Sequence, residues 1–287
     1  MSIFIELIPT GIIQGLILSI MALGVTIPFR ILNFPDFTGE GSYPLGGALC
    51  AALIISGIHP GIATLTATIC GGLIGVATAL LYLNLRINTI LAGIIVSTMV
   101  YSLNLRFMGK PNLALFEYSN LFSGMSENVT YKIITLVALN LIIIIPIMLF
   151  LRTEIGLQLR TVGMNKSFAS NQSINVSSYT ILGLFIGNAL CGLAGSMIVQ
   201  LQNYADIGMG TGIVVHALAG LMIGEVIIEP KTITRQIIAP FIGALIYQQI
   251  QGLAITIGMV PSDLKILTGG IVLFVLMMRR SVSVHKH

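Results

Sequence analysis

Hydrophobic residues in this chain come in long runs rather than at regular intervals. Nine apolar segments can be drawn, at about 8–28, 43–57, 60–83, 88–107, 131–151, 178–201, 211–227, 235–257 and 263–279. About 18–20 apolar residues span the hydrocarbon of a bilayer. None of the runs alternates as a barrel strand would, and unpaired backbone groups are too costly in lipid for anything but helices. The pattern therefore predicts an all-α polytopic membrane protein of about nine transmembrane helices (eight to ten), forming one domain over 1–287. One long polar stretch, Leu151–Ser178, interrupts the apolar pattern between the runs Ile133–Phe150 and Tyr179–Val199. A polar segment held between two spans works in water, so it is expected to be a docking surface for a soluble partner.

Composition removes the soluble alternatives. The chain is 55% hydrophobic and 8% charged, against about 25% charged in soluble domains. Its net charge of +4 does not imply nucleic acid, because no Lys/Arg cluster or basic helix face tracks phosphates. Cys50, Cys70 and Cys191 all lie in apolar runs and read as small buried side chains, not as a disulfide framework. Residues 1–7 contain Glu6 and no basic leader region, so the first apolar run is expected to be a retained span.

Basic residues set the orientation. With the N-terminus outside, the inner side carries Arg30, Arg86, Arg152, Arg160, Lys166, Lys231, Arg235, Arg279, Arg280 and Lys286. Arg106, Lys110, Lys132 and Lys265 are left outside. By the positive-inside rule the polar island and the C-terminus are then cytoplasmic, as expected for a multi-pass protein of a bacterial inner membrane.

Two spans are short and come after polar, glycine-containing lead-ins, Asn33–Ser42 and Asp206–Gly212. The first lies on the inner side and the second on the outer, so spans 1–4 and 6–9 run in opposite senses with span 5 between them. Interrupted segments at matching places in inverted halves point to a transport pathway. Its candidate residues are Asp36, Thr38, Glu40, Ser42, Asp206, Thr211 and His216. Asp36 and Glu40 either line a path or sit at a helix start, where the dipole favours acids. His216 is either a neutral histidine hydrogen-bonded between helices or a proton carrier. Glu225, close in sequence to Lys231 and Arg235, reads as a structural ion pair at the membrane interface, with a proton relay as the alternative. The loop 108–130, with Phe116, Tyr118 and Phe122, is expected to hold a short surface helix that anchors in the interface or meets an external partner.

No nucleotide-binding loop, zinc-protease helix, paired cysteines or nucleophile elbow is present. An enzyme is not indicated, and energy for uphill transport must come from an ion or another subunit. Within the island, Ile155, Leu159 and Val162 form an i, i+4, i+7 stripe on a helical extension of span 5. Gly163 is expected to break that helix. Asn165 suits the N-cap of a second, short helix over about Lys166–Gln172.

Arg152-Thr153, Gly156, Leu159-Arg160, Gly163, Asn165, Ala169 and Ile174-Asn175 resemble the cytoplasmic coupling segment of ATP-binding-cassette importer permeases of the branched-chain amino-acid and ribose superfamily. The chain departs from that pattern at Thr161 and Phe168, where the family favours alanine, and at Ser173, where it favours glycine. Asn33–Thr38 with Gly41-Ser42, Asp206–Gly212, Ile223–Glu225 and Pro261–Lys265 look like one subgroup of it, some of whose members are linked to aromatic amino-acid uptake. The resemblance implies a permease subunit working with a second copy, two ATPase subunits and an extracytoplasmic solute-binding protein. ATP and Mg would be held by the ATPase, and no cofactor by this chain. The coupling segment would be 152–177, with Arg160, Gly163, Asn165, Lys166, Phe168, Ala169 and Ile174 at the ATPase contact. An ion-coupled secondary transporter or channel is the alternative.

Overall fold

The computed structural model describes residues 2–123 and 129–284. Its apolar runs satisfy their own backbone groups by closing as helices. Helix α1 (Ser2–Thr26) continues through a π-helical turn (Ile27–Ile31), and is succeeded by α2 (Gly39–Ile55), α3 (Pro60–Leu85) and α4 (Thr89–Met108). A short strand, β1 (Asn112–Ala114), precedes α5 (Val129–Arg152), α6 (Glu154–Met164), α7 (Lys166–Asn171) and α8 (Val176–Gln202). Strand β2 (Tyr204–Asp206) and a 3-10 turn (Ile207–Gly210) lead to α9 (Ile213–Ile227), then α10 (Ile233–Thr256) and α11 (Leu264–Val284). Each expected segment coincides with a helix. Among the described residues, seven helices are long and apolar enough to cross a membrane, while α2 and the apolar part of α11, Leu264–Met277, are shorter. The protein is an all-α, multi-pass membrane protein.

Side-chain contacts sort the loops into two ends. At one end Arg30 pairs with Glu225 at 2.5 Å, Arg152 donates to Thr234 at 2.7 Å, and Lys166 donates to Tyr82 at 2.9 Å. This basic end holds the whole polar island. At the other end β1 and β2 pair antiparallel, Leu113 opposite Ala205. The loop 108–130 contains a strand, because Asn112–Ala114 finds a backbone partner across the bundle. Leu115 and Phe122 are buried beneath it while Phe116 stays 74% exposed. Residues 124–128 of that loop lie outside the described residues.

The two halves pack by one pattern. α8 lies against α2 and α3, and α1 lies correspondingly against α9 and α10. Likewise α2 packs on α3 and α4, as α9 packs on α10 and α11. α1 runs toward the basic end and α8 away from it, so exchanging spans 1–4 with 6–9 maps each contact onto its counterpart in the opposite sense. This is the contact pattern an inverted repeat would give. Close helix approach makes it possible: a Cβ at Gly195 of α8 would strike the Tyr43 carbonyl of α2, where the halves meet, and one at Gly224 of α9 the Ala239 carbonyl of α10, within the second half. α5 stands outside both halves and is tied to α1 by Asn140, which accepts from Ser19 Oγ at 2.7 Å and donates to the Leu16 carbonyl at 3.0 Å.

Candidate functional site

The polar island folds as two helices of its own. α5 ends at Arg152, and Thr153 starts a fresh helix by accepting from the Gly156 N–H, so α6 is not an extension of span 5. Leu159 and Val162 are fully buried, but Ile155 is 49% exposed. The buried face of α6 is therefore Gly156, Leu159 and Val162, so the expected stripe holds at Leu159 and Val162 and differs only in its first member. Gly163 lies in the last turn of α6, which ends one residue later at Met164. It lets α6 touch the chain leaving α1, since a Cβ there would overlap the Ile31 carbonyl oxygen.

Asn165 then caps α7 by accepting from the Phe168 N–H at 3.0 Å. Ala169 is buried and Phe168 is 53% exposed, giving α7 one seated face and one presented face. Arg160 Nε donates back to the Gly156 carbonyl at 3.3 Å. Ile174 is half-buried, and its N–H reaches the Ala169 carbonyl at 3.0 Å. Ser173 has φ 59°, the left-handed region that favours glycine.

Lys166 carries the island's contact into the bundle. Its Nζ lies 4.9 Å from the Tyr82 ring centroid and 6.0 Å from that of Phe34, and the two rings meet edge to face at 5.0 Å. Phe34 is fully buried and belongs to the first lead-in, Asn33–Thr38. There Asp36, 3% exposed, accepts from the Thr38 N–H at 2.8 Å and from Asn188 Nδ2 at 2.7 Å. Asn188 Oδ1 accepts from Ser42 at 2.7 Å, and Thr38 bonds Thr78 at 2.7 Å. Asp36, Thr38 and Ser42 thus form a closed, buried network joining α2, α3 and α8.

The second lead-in is built differently. Asp206 accepts from the Gly208 N–H at 2.7 Å, the Ile207 N–H donates to the Pro111 carbonyl at 3.0 Å, and Gly212 turns into α9 with φ 80°. The two lead-ins come from opposite ends and meet in the interior. A Cβ at Gly210 would overlap the Glu40 carbonyl, and the Gly212 N–H faces the Glu40 carboxylate. Beside this junction is a cleft of about 260 Å³, lined by Glu40, Ser97, Thr98, Tyr101, Asn104 and Thr211 among others.

Of the residues expected along a path, Glu40 and Thr211 line this cleft. Asp206 lines a separate 440 Å³ pocket beside the β1–β2 pair with Tyr43, Gln202 and Tyr204. His216 sits in the first turn of α9 with its ring 5.9 Å from that of Tyr247. Glu225 pairs with Arg30 rather than with Lys231 or Arg235, because α9 ends beside the π-helical turn of α1. Lys231 pairs with its neighbour Glu229, and the Arg235 N–H is capped by Thr232 Oγ1 at 3.4 Å. Sequence reasoning missed the α4 face. Ser97, Tyr101 and Asn104 recur at i, i+4 and i+7 as polar positions in an apolar run, which was the available signal. Among the described residues no three His, Cys, Asp or Glu side chains come together to hold a metal ion.

Residues 7–278 match the family described as the permease component of branched-chain amino acid transport systems. The chain belongs to this permease family. It is similar to the tyrosine transport system permease protein of Clostridioides difficile, 39% identical over 260 residues, covering 91% of this chain and 87% of the relative. An uncharacterised protein of Rickettsia prowazekii is 34% identical over 270 residues, covering 93% and 95%. A probable branched-chain amino acid transport permease of Methanocaldococcus jannaschii is 26% identical over 232 residues, covering 75% and 72%. No solved structure matches. As a permease, the chain is a transport subunit and not an enzyme.

Proposed function

We propose that this permease is the membrane-spanning subunit of an ATP-driven importer of an amino acid, with a tyrosine-like solute favoured by the tyrosine system of the Clostridioides relative. The observation that carries the reading is the meeting of two broken helices, from opposite ends of an inverted repeat, beside a polar cleft. Non-helical backbone at membrane depth persists where it lines a cavity, and binding sites of such folds lie where the halves meet.

In this reading the basic end faces the cytoplasm of a bacterial cell. α7, presenting Phe168 between Asn165 and Ile174, docks on a separately encoded ATPase that holds ATP and Mg. Two ATPase copies serve two permease copies, and the end that carries the β1–β2 pair and exposed Phe116 receives a solute-binding protein. Closure of the ATPase pair displaces α7, and Lys166 passes the displacement through Tyr82 and Phe34 to the start of α2. The cleft then alternates between the two sides. The shift is supplied by the greater affinity of ATP for the closed state.

The test is reconstitution into liposomes with the ATPase and binding protein found beside it in the genome. ATP-dependent accumulation of labelled tyrosine is expected. Uptake driven by an ion gradient with this chain alone, or failure of any ATPase to co-purify, overturns the proposal.

A further inference from the structure

One polar side chain in the cleft is left unengaged by the fold. Asn104 lies one turn from the end of α4 and is 1% exposed. Among the described residues, neither atom of its amide, Nδ2 or Oδ1, finds a hydrogen-bond partner. A buried amide has two N–H donors and two acceptor lone pairs to satisfy, and leaving them empty is costly. Two other asparagines buried in the bundle are fully engaged: Asn140 binds Ser19 and Leu16, and Asn188 binds Asp36 and Ser42. Asn104 instead lines the 260 Å³ cleft together with Glu40, Tyr101 and Thr211.

The chemistry around it restricts what would fill the gap. Among the described residues Glu40 is the only charged side chain on the cleft wall, and beside it lies the N-terminus of α9, whose dipole is positive. An acid and a helix start in contact match the adjacent ammonium and carboxylate of an amino acid. The side chain of such a solute is then left for Tyr101, an aromatic surface, and for Asn104, which is neutral and can both donate and accept. A hydroxyl both donates and accepts as well, whereas a hydrocarbon side chain would leave the amide empty.

We infer that Asn104 is the specificity-determining residue of the cleft, reading a hydroxyl on the solute's side chain and so favouring phenolic over purely apolar amino acids. The inference rests on the amino-acid reading above and adds to it which atom of the protein distinguishes one amino acid from another. Sites built to bond a hydroxyl reject analogues lacking it far more strongly than apolar pockets separate isosteres.

The experiment measures uptake of labelled L-tyrosine and L-phenylalanine by the complete system, with its own ATPase and binding protein, in wild type, Asn104→Leu and Asn104→Ser. Selectivity contributed by the binding protein is common to all three and cancels in the ratio. Asn104→Leu is expected to lower the tyrosine-to-phenylalanine ratio about 10-fold, with phenylalanine uptake within about 2-fold of wild type. Asn104→Ser, which keeps a hydroxyl, is expected to lose less of the ratio, and it carries the comparison if the leucine variant does not assemble with the ATPase. A parallel fall of both uptakes, or an unchanged ratio, overturns the inference and leaves the amino-acid reading standing. A wild-type system that assembles and hydrolyses ATP but takes up neither amino acid overturns both.

Discussion

Asn33–Thr38 and Asp206–Gly212 occupy equivalent places in the two halves, yet opposite physics holds them. The first is locked: Phe34, Asp36 and Thr38 are buried, and the Asp36 carboxylate bridges its own turn to Asn188 on α8. The second is held more loosely: Asp206 accepts from Gly208 two residues on and from Asn112 only at 3.5 Å, and three glycines carry the chain into α9. Their attachments differ as well. The locked lead-in touches Lys166 of α7 through Phe34 and Tyr82, whereas the glycine-rich one is fastened to Pro111, just before β1, at the opposite end. A segment cross-braced by buried polar bonds moves as a body with its neighbours. A glycine-rich segment can change shape while its ends stay fixed. In the proposed cycle, force enters at the first lead-in and the second yields to let solute pass.

The comparison can be broken by experiment. The largest effect is expected from Asp36→Ala, which leaves one N–H of the Asn188 amide and the Thr38 N–H without a partner in the protein interior. It should cost about 2–4 kcal/mol in thermal unfolding of the detergent-purified protein. Next comes Lys166→Met, which keeps the stem but removes the ammonium from the two rings. Transport should fall about 10-fold, or about 1.4 kcal/mol, while ATPase co-purification and melting stay near wild type. Loss of ATPase binding instead would make Lys166 part of the docking face and remove its transmitting role. Asp206→Ala should cost no more than about 1 kcal/mol, the scale of a lost cap. A loss equal to that of Asp36→Ala would erase the distinction between the lead-ins. The smallest change is Ser173→Gly, which relieves a left-handed residue and should raise stability by about 0.5–1 kcal/mol in the same melts.

Local signals in the sequence were informative where local chemistry decides. Asn165 caps the short helix that its position implied, and the two lead-ins begin the two short helices. The charge asymmetry along the chain separates the same loops that contacts gather at two ends. Long-range pairing was not legible. Glu225 has Lys231 and Arg235 near it in sequence, but its partner Arg30 lies 195 residues away. Gly163 read as a helix breaker because glycine is a poor helix former. Its use here is steric, against a carbonyl of a different helix. Asn112–Ala114 gave no strand signal, because three residues become a strand only when Tyr204–Asp206 is brought beside them. Asn104 looks in the sequence like any polar residue near a span end. Only the packed bundle reveals that its amide is unmet.

The π-helical turn at Ile27–Ile31 gives α1 an uneven gear ratio. Leu32 donates to Ile27, five residues back, where an α-helix would bond four back, so the ladder here takes in one surplus residue. Removing a single residue, for instance Phe29, would let the turn close as ordinary helix and rotate the chain beyond it by about 100°. Phe34 would then leave Tyr82, and Asp36 would leave Asn188, although neither had been altered. The chain therefore tolerates substitution in this turn better than deletion, and one surplus residue sets the phase of everything downstream.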